Sequence, residues 1–185
     1  DVQVEGYEKF SGVVVVSNKI IFVPFYANVV GVLDTTAATH NTTPQFSMVT
    51  LGGLVTDLAG FAKFAGGAVI GSKVYFAPSI ADVIGVFDTA ADEGKGVFST
   101  ISLNGMVSGD RKFEGAAALG SKEYFAPRNA NVVGVLDTAP STGGPSQFST
   151  ITLDASLSGR DRFSGAVVVG SKIVFVPFYA DVIGI

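Results

Sequence analysis

Four stretches of the chain repeat one another: Phe22-Val-Pro-Phe-Tyr-Ala-Asn-Val-Val-Gly-Val-Leu-Asp34, Phe76-Ala-Pro-Ser-Ile-Ala-Asp-Val-Ile-Gly-Val-Phe-Asp88, Phe125-Ala-Pro-Arg-Asn-Ala-Asn-Val-Val-Gly-Val-Leu-Asp137 and Phe175-Val-Pro-Phe-Tyr-Ala-Asp-Val-Ile-Gly-Ile185. Ahead of each lies Lys or Arg, then Phe-x-Gly, with the phenylalanines at 10, 64, 113 and 163, which sets a period of 49 to 54 residues. A unit of that size cannot bury its apolar face alone, so copies must stack on one another. The chain therefore reads as one domain over residues 1–185. Its repeats lie at about 10–63, 64–112, 113–162 and, joined across the ends, 163–185 plus 1–9.

Within each unit the apolar runs are short. Val13–Val16, Ala68–Ile70, Ala116–Leu119 and Ala166–Val169 are apolar at consecutive positions, as in a strand covered on both faces, and form strand a. Ser17-Asn-Lys19, Gly71-Ser-Lys73, Gly120-Ser-Lys122 and Gly170-Ser-Lys172 are hairpin turns in which Gly or Asn takes positive φ. They are not phosphate loops, because the glycine spacing and the following helix are missing. Strand b comes next and stops at Pro24, Pro78, Pro127 and Pro177, which cannot donate to a ladder. Strand c, Val29 to Leu33 and its equivalents, ends at Asp34, Asp88 and Asp137. Each Asp is placed to accept from the backbone two residues on, and no further carboxylates are spaced to hold calcium. After a polar, variable connection, Phe46–Leu51, Phe98–Leu103 and Phe148–Leu153 alternate apolar residues with Ser or Thr, the pattern of a half-exposed strand d.

Four antiparallel strands per unit, the first covered and the last half exposed, predict an all-β fold. The expected form is a β-propeller of four blades with four antiparallel strands each, strand a at the axis and strand d at the rim. That makes sixteen strands, or fifteen if the amino terminus stays free. Eleven of the 15 phenylalanines fall on three framework positions and are assigned to packing between blades. From Phe163 around the ends to Phe10 there are only 32 residues, less than one repeat. Closing the ring therefore requires Val2 to Val4 to pair with the last blade; the alternative is a four-blade arc of a larger propeller.

The copies resemble the YVTN type of propeller repeat, in which an aromatic-rich strand passes through a polar turn into Val-x-Val-Ile-Asp-Thr. They are also similar to protist and algal repeats of the form Lys-Phe-Ser-Gly, Gly-x-Lys-Ile-Tyr-Phe-x-Pro and Asn-x-Val-Gly-Val-x-Asp. The resemblance covers nearly the whole chain and implies the fold. It implies little of function, since propeller repeats serve scaffolds, lectins and enzymes. One departure is the turn before Lys, where those repeats carry Asn-Gly and this chain has Ser-Asn or Gly-Ser.

Composition narrows the partners. With a net charge of -4 and 12 basic residues scattered among the repeats, there is no stripe to follow a phosphate backbone, so nucleic acid is not expected. No apolar run approaches the roughly 18 residues of a bilayer span, so no membrane-spanning segment is expected although 48% of the residues are hydrophobic. There is no cysteine for a disulfide or thiolate site, and the one histidine, His40, sits in a polar connection. No acid, base and nucleophile converge, so the chain reads as not an enzyme, with no catalytic residue, no cofactor and no metal. The Asn41-Thr-Thr sequon leans toward an organellar lumen or the extracellular space; nothing else marks a compartment. A start at Asp1 rather than Met suggests a processed protein or a fragment.

Positions that vary within a constant frame carry the functional signal. The pair after each proline is Phe25-Tyr26, Ser79-Ile80, Arg128-Asn129 and Phe178-Tyr179, in b–c turns that all emerge on one end of a propeller. In a closed ring the first and fourth blades are neighbours, which puts the two Phe-Tyr pairs side by side with Arg128 and Asn129 across the axis. The expected partner-binding residues are thus Phe25, Tyr26, Arg128, Asn129, Phe178 and Tyr179. Against this stands simple packing of each pair on its own blade. The expected function is a non-catalytic structural or protein-interaction propeller, an accessory subunit of a larger assembly or a homo-oligomer. The alternatives are a small-ligand or glycan-binding module, and a propeller hydrolase or lyase.

Overall fold

The computed structural model describes residues 7–36, 44–53, 55, 61–141, 143–157 and 159–185. Val2 to Val4, His40 and Asn41 lie outside them, and with them the expected closing strand and the sequon. The strands are β1 (Phe10–Val16), β2 (Lys19–Pro24), β3 (Val29–Asp34), β4 (Gln45–Thr50), β5 (Phe64–Ile70), β6 (Lys73–Pro78), β7 (Val83–Asp88), β8 (Val97–Ser102), β9 (Phe113–Leu119), β10 (Lys122–Pro127), β11 (Val132–Asp137), β12 (Gln147–Thr152), β13 (Phe163–Val169) and β14 (Lys172–Pro177). Among the described residues there is no α-helix; helical turns are short pieces such as Asp92–Gly94. No helix there is long and apolar enough to cross a membrane.

The strands form antiparallel sheets in chain order, β1-β2-β3-β4, β5-β6-β7-β8, β9-β10-β11-β12 and β13-β14. These are the four blades of a propeller, with β1, β5, β9 and β13 packed in succession along the inner side. In the fourth blade the segment equivalent to strand c is held by a single bridge, Phe175 to Gly184, where sixteen or fifteen strands would have given a ladder. In the other blades that strand is gripped from both sides, by b and by d. Among the described residues nothing lies outside it here.

Every first strand carries the same bulge. Phe10 faces Pro24 but Val13 faces Phe22, and the extra residue recurs between Phe64 and Gly67, Phe113 and Ala116, and Phe163 and Ala166. The glycine of the Lys-Phe-x-Gly signature sits in it at positive φ, 87° at Gly12, 77° at Gly66 and 83° at Gly115. A second reason makes it glycine: a Cβ on Gly66 would lie 2.9 Å from the Gly115 Cα, and one on Gly115 2.6 Å from the Gly165 Cα. Bare backbone at this point lets successive inner strands touch.

The hairpin turns form as expected, although in the first blade Ser17, not Asn18, takes the left-handed conformation, at φ 52°. The Asp caps form too. Asp34, Asp88 and Asp137 accept from the N–H groups of Thr36, Ala90 and Ala139 at 2.9, 3.1 and 3.1 Å. The threonine after each donates to a carbonyl of the a–b turn, Asn18, Ser72 or Ser121, at 2.7 to 2.8 Å. Each c–d connection is thereby tied to the hairpin beneath it.

The core lies between blades and has a fixed polarity. Phe64, Phe76 and Phe98 of the second blade pack against Ile21, Val23, Val30 and Val32 of the first. Phe113, Phe125 and Phe148 meet Tyr75, Ala77, Ile84 and Val86 in the same way, and Phe163 and Phe175 meet Ala126, Val133 and Val135. So each blade has a phenylalanine flank facing its predecessor and an aliphatic flank facing its successor. The rings also cluster within a blade, with centroids 5.7 Å apart for Phe64 and Phe76, over the glycine of strand c. Each fully buried ring contributes on the order of 2 kcal/mol. One expectation needs correction: strand a is half-buried along most of β5 and β9, while b and c form the buried layer, because the free edge of a borders the axis.

Candidate functional site

The b–c turns are built on one frame. After each proline the first N–H of the turn, from Phe25, Ser79, Arg128 or Phe178, donates to the carbonyl of Lys9, Lys63, Lys112 or Arg162 at 2.7 to 3.0 Å. The next N–H, from Tyr26, Ile80, Asn129 or Tyr179, donates to the residue before that cation. The backbone is therefore the same four times and only the side chains differ.

The frame also joins blade to blade. The N–H of Lys63 donates to the Phe25 carbonyl, that of Lys112 to Ser79 and that of Arg162 to Arg128, each at 2.9 Å. The side chains follow: Lys63 Nζ donates to the Tyr26 carbonyl at 3.0 Å and Lys112 Nζ to that of Ile80 at 2.8 Å, while Arg162 reaches the Ala130 carbonyl. All three cations are buried. Burial pushes the Lys63 ammonium and the Arg162 guanidinium below their usual values. A charge in such a place is retained by carbonyls aimed at it.

On the inner side of these turns is a cavity of about 350 Å³ lined by Glu8, Phe10, Ser11, Phe25, Ala65, Ser79, Arg111, Glu114 and Arg128. Arg128 is its best-tethered member: its guanidinium pairs with Glu114, donates from Nε to Asp161 at 2.5 Å, and lies 5.4 Å from the Phe178 ring centroid. Asn129 bridges as well, accepting from the Asp161 N–H at 2.8 Å and donating to the Asp110 carbonyl at 3.1 Å. Both residues thus couple the third blade to the fourth. Arg111 lines the cavity without an ion pair among the described residues.

Of the six residues expected at a binding surface, the structure brings Phe25 and Arg128 to one cavity and sets Arg128 against Phe178, on the adjacent blade rather than across the axis. Phe25 meets Tyr26 edge-on at 5.0 Å, and Phe178 lies 4.8 Å from Tyr179. No ring contact joins the two pairs among the described residues. Their surroundings differ: Phe25 and Tyr26 are half-buried, whereas Phe178 is 51% and Tyr179 73% exposed. Glu8, Ser11, Arg111 and Glu114 were not anticipated. Their signal was available, since the residues two before and one after the framework phenylalanine also vary: Glu8, Ala62, Arg111, Asp161, and Ser11, Ala65, Glu114, Ser164.

No protein family and no curated protein matches the chain, so the likeness to YVTN-type and protist repeats remains one of repeat pattern. Solved structures do match. A glutaminyl cyclase from Myxococcus xanthus is similar at TM-score 0.49 and 11% identity over 90% of this chain, which spans 66% of the cyclase, just under two thirds. The seed albumin LS24 from Lathyrus sativus is similar at TM-score 0.43 and 8% identity, over 90% of this chain and 81% of the albumin. A plant albumin from Cicer arietinum showing hemagglutination is similar at TM-score 0.44 and 13% identity, over 94% and 84%. At these values the fold assignment rests on the blades themselves. The expectation that the chain is not an enzyme is corrected nonetheless: one of these similar chains is an enzyme, so the lack of a legible catalytic motif does not exclude catalysis.

Proposed function

We propose that this chain is a protein-interaction propeller whose partner-binding surface is the b–c turn end, formed by Phe25, Tyr26, Arg128, Asn129, Phe178 and Tyr179. The observation that carries this is the exposure of Tyr179, 73%, and of Phe178, 51%, on a turn whose N–H groups are bonded to the chain before β13. Rigid aromatic rings beside an arginine are what protein interfaces concentrate at their energetic centres. The test is the native particle, isolated from its own host with a tag on this chain. An assembly containing other polypeptides, released by Tyr26→Ala with Tyr179→Ala while the blades stay folded by circular dichroism, supports the reading. A native particle containing this chain alone overturns it.

One observation favours a second reading, a small-ligand module. Arg111 lines the cavity with Ser11, Ser79 and Phe25, alongside Glu8 and the Glu114 carboxylate that Arg128 neutralises, and about 350 Å³ is within the range of ligand pockets. The chemistry fits a small carboxylate or phosphate. Acetate and inorganic phosphate should raise the melting temperature of the wild type but not of Arg111→Gln; no shift with either ends this reading.

A further inference from the structure

The two outer flanks of the blade row are the two halves of one interface. Each internal junction joins a phenylalanine flank and its buried cation to an aliphatic flank and its turn carbonyls. The first blade presents the former half only partly covered. Phe10, Phe22, Phe46, Ile20 and Leu33 are only half-buried there, although Phe64, Phe76, Val74 and Phe87 at the same places in the second blade are fully buried. Val15 is 63% exposed, and no bond like that from Lys63 Nζ is found for Lys9 among the described residues.

The fourth blade presents the latter half uncovered. Val167, Val169, Val176, Ile183 and Ile185 are exposed at the places where Val14, Val16, Val23, Val30 and Val32 of the first blade are covered by the second. The carbonyls of Phe178 and Tyr179 stand where those of Phe25 and Tyr26 receive Lys63. Among the described residues no bond joins the fourth blade to the first, and β13 does not pack along β1 as β9 packs along β5.

We infer that these flanks bind each other between molecules: the first blade of one copy of this chain docks on the fourth blade of a second copy, in the geometry of the internal junctions. Lys9 then donates to the turn carbonyls of Phe178 and Tyr179, and the half-buried rings close over the exposed valines and isoleucines. The occupant is a copy of this chain because both halves are already on it, and their pairing is written three times within it. The interface is heterologous, so copies form a ring if the rotation closes and longer rows if it does not. This goes beyond the turn-end surface proposed above and shares with it the Phe178–Tyr179 turn, whose rings the docked blade would half-bury as Phe25 and Tyr26 are half-buried beside the second blade.

The test is the mass of the purified recombinant chain alone, by sedimentation and light scattering, which also separates this proposal from one about foreign partners. Assemblies of at least two 19.0 kDa chains are expected. Val15→Glu and Ile183→Glu, both at exposed positions, should each remove or shorten the assembly, and mixing the two variants should restore a 1:1 pair through the one intact flank on each. A symmetric contact would not show that complementation. Lys9→Ala should weaken association about tenfold or more, as expected for losing a charged donor. Lys9→Arg should restore it, since Arg162 serves the same place. A wild-type chain that stays at 19.0 kDa up to about 100 µM, well above typical dissociation constants, assigns the flanks to another occupant and overturns the proposal. So does failure of the mixed variants to pair.

Discussion

Lys63 donates from Nζ to the carbonyl of Tyr26 at 3.0 Å, reaching from the second blade into the turn of the first. Lys112 repeats this toward Ile80 and adds the Gly109 carbonyl at 2.9 Å and the Asp82 carboxylate at 3.0 Å. A cation is unusual as a core residue, yet at each junction it reads the turn of the preceding blade and so fixes the angle between neighbours. An apolar residue could fill the volume but would leave the carbonyls unpaired.

Lys112→Ala should therefore cost about 2 to 3 kcal/mol, because two carbonyls lose their donor together, while the exposed Asp82 carboxylate returns to water. Lys112→Arg should stay within about 1 kcal/mol of the wild type, since one blade on Arg162 bonds Gly159, the equivalent of Gly109, and reaches the same turn one residue further along, at Ala130. Urea midpoints of the three proteins decide. Equal losses in both variants would mean the site recognises shape and not charge.

The bulge glycines give a graded test. Gly115→Ala would drive a methyl to 2.6 Å from the Gly165 Cα, and Gly66→Ala one to 2.9 Å from the Gly115 Cα. Gly12 has its nearest neighbour, the Gly66 Cα, at 3.7 Å. All three sit at positive φ, so Gly12→Ala should show the conformational cost alone, about 1 to 2 kcal/mol. The other two should add a clash that only separation of the inner strands relieves, for roughly 2 to 4 kcal/mol in total. Thermal unfolding should rank Gly12→Ala mildest.

Much of this was legible because the repeats expose it. The prolines ending strand b, the Asp caps and the alternation of strand d each follow from local chemistry and recur at the expected places. The bulge was not legible, since an apolar-run reading starts strand a after its glycine, whereas β1 and its equivalents start at the phenylalanine before it. Burial of Lys63, Lys112 and Arg162 has no local signal, because a lysine beside a turn looks solvated until the turn of another blade is placed over it. The cavity is half legible: the pair after each proline varies within a constant frame, whereas the equally variable Glu8, Arg111 and Glu114 flank a signature phenylalanine whose constancy masks them.

Glu123 occupies a slot that is Ile20, Val74 and Ile173 in the other blades. It is buried, accepts from the Ala68 N–H at 3.2 Å through Oε1, and leaves Oε2 without a partner. Burial pushes its carboxyl well above the usual range, with the Ala68 bond opposing more weakly. The folded chain thus keeps a proton that the unfolded chain gives up as pH rises past the ordinary carboxylate value. Its stabilising contribution is full in acid and is lost as pH rises through the folded value. Glu123→Gln retains an acceptor for Ala68 and has no proton to lose. Urea unfolding from about pH 4 to about pH 9, spanning the carboxylate range and beyond, should show that fall in the wild type and its reduction in the variant.

Arg128 should act through its planar fork. Its pair with Asp161 and its place over Phe178 hold the third blade to the fourth, while its pair with Glu114 anchors the guanidinium within the third. Arg128→Ala should cost about 2 to 3 kcal/mol and Arg128→Lys well over half of that, since an ammonium cannot serve both carboxylates and the ring in one plane. Full rescue by lysine in chemical denaturation would reduce the residue to a point charge.

Phe178-Tyr179 repeats Phe25-Tyr26 residue for residue on the same backbone frame, but only the first pair has a following blade beside it. In the isolated monomer Tyr26→Ala should cost about 1 to 2 kcal/mol, as for a half-buried ring. Tyr179→Ala should stay within about 0.5 kcal/mol, as for an exposed one. In the native assembly the order should invert for binding, with Tyr179 the costlier loss, at about 2 kcal/mol or more for a ring that anchors an interface. Melting curves of dilute protein and affinity measurements on the assembly read the two halves separately. A Tyr179→Ala variant that loses stability as a monomer would make this ring a strut of its own blade and remove it from the binding surface.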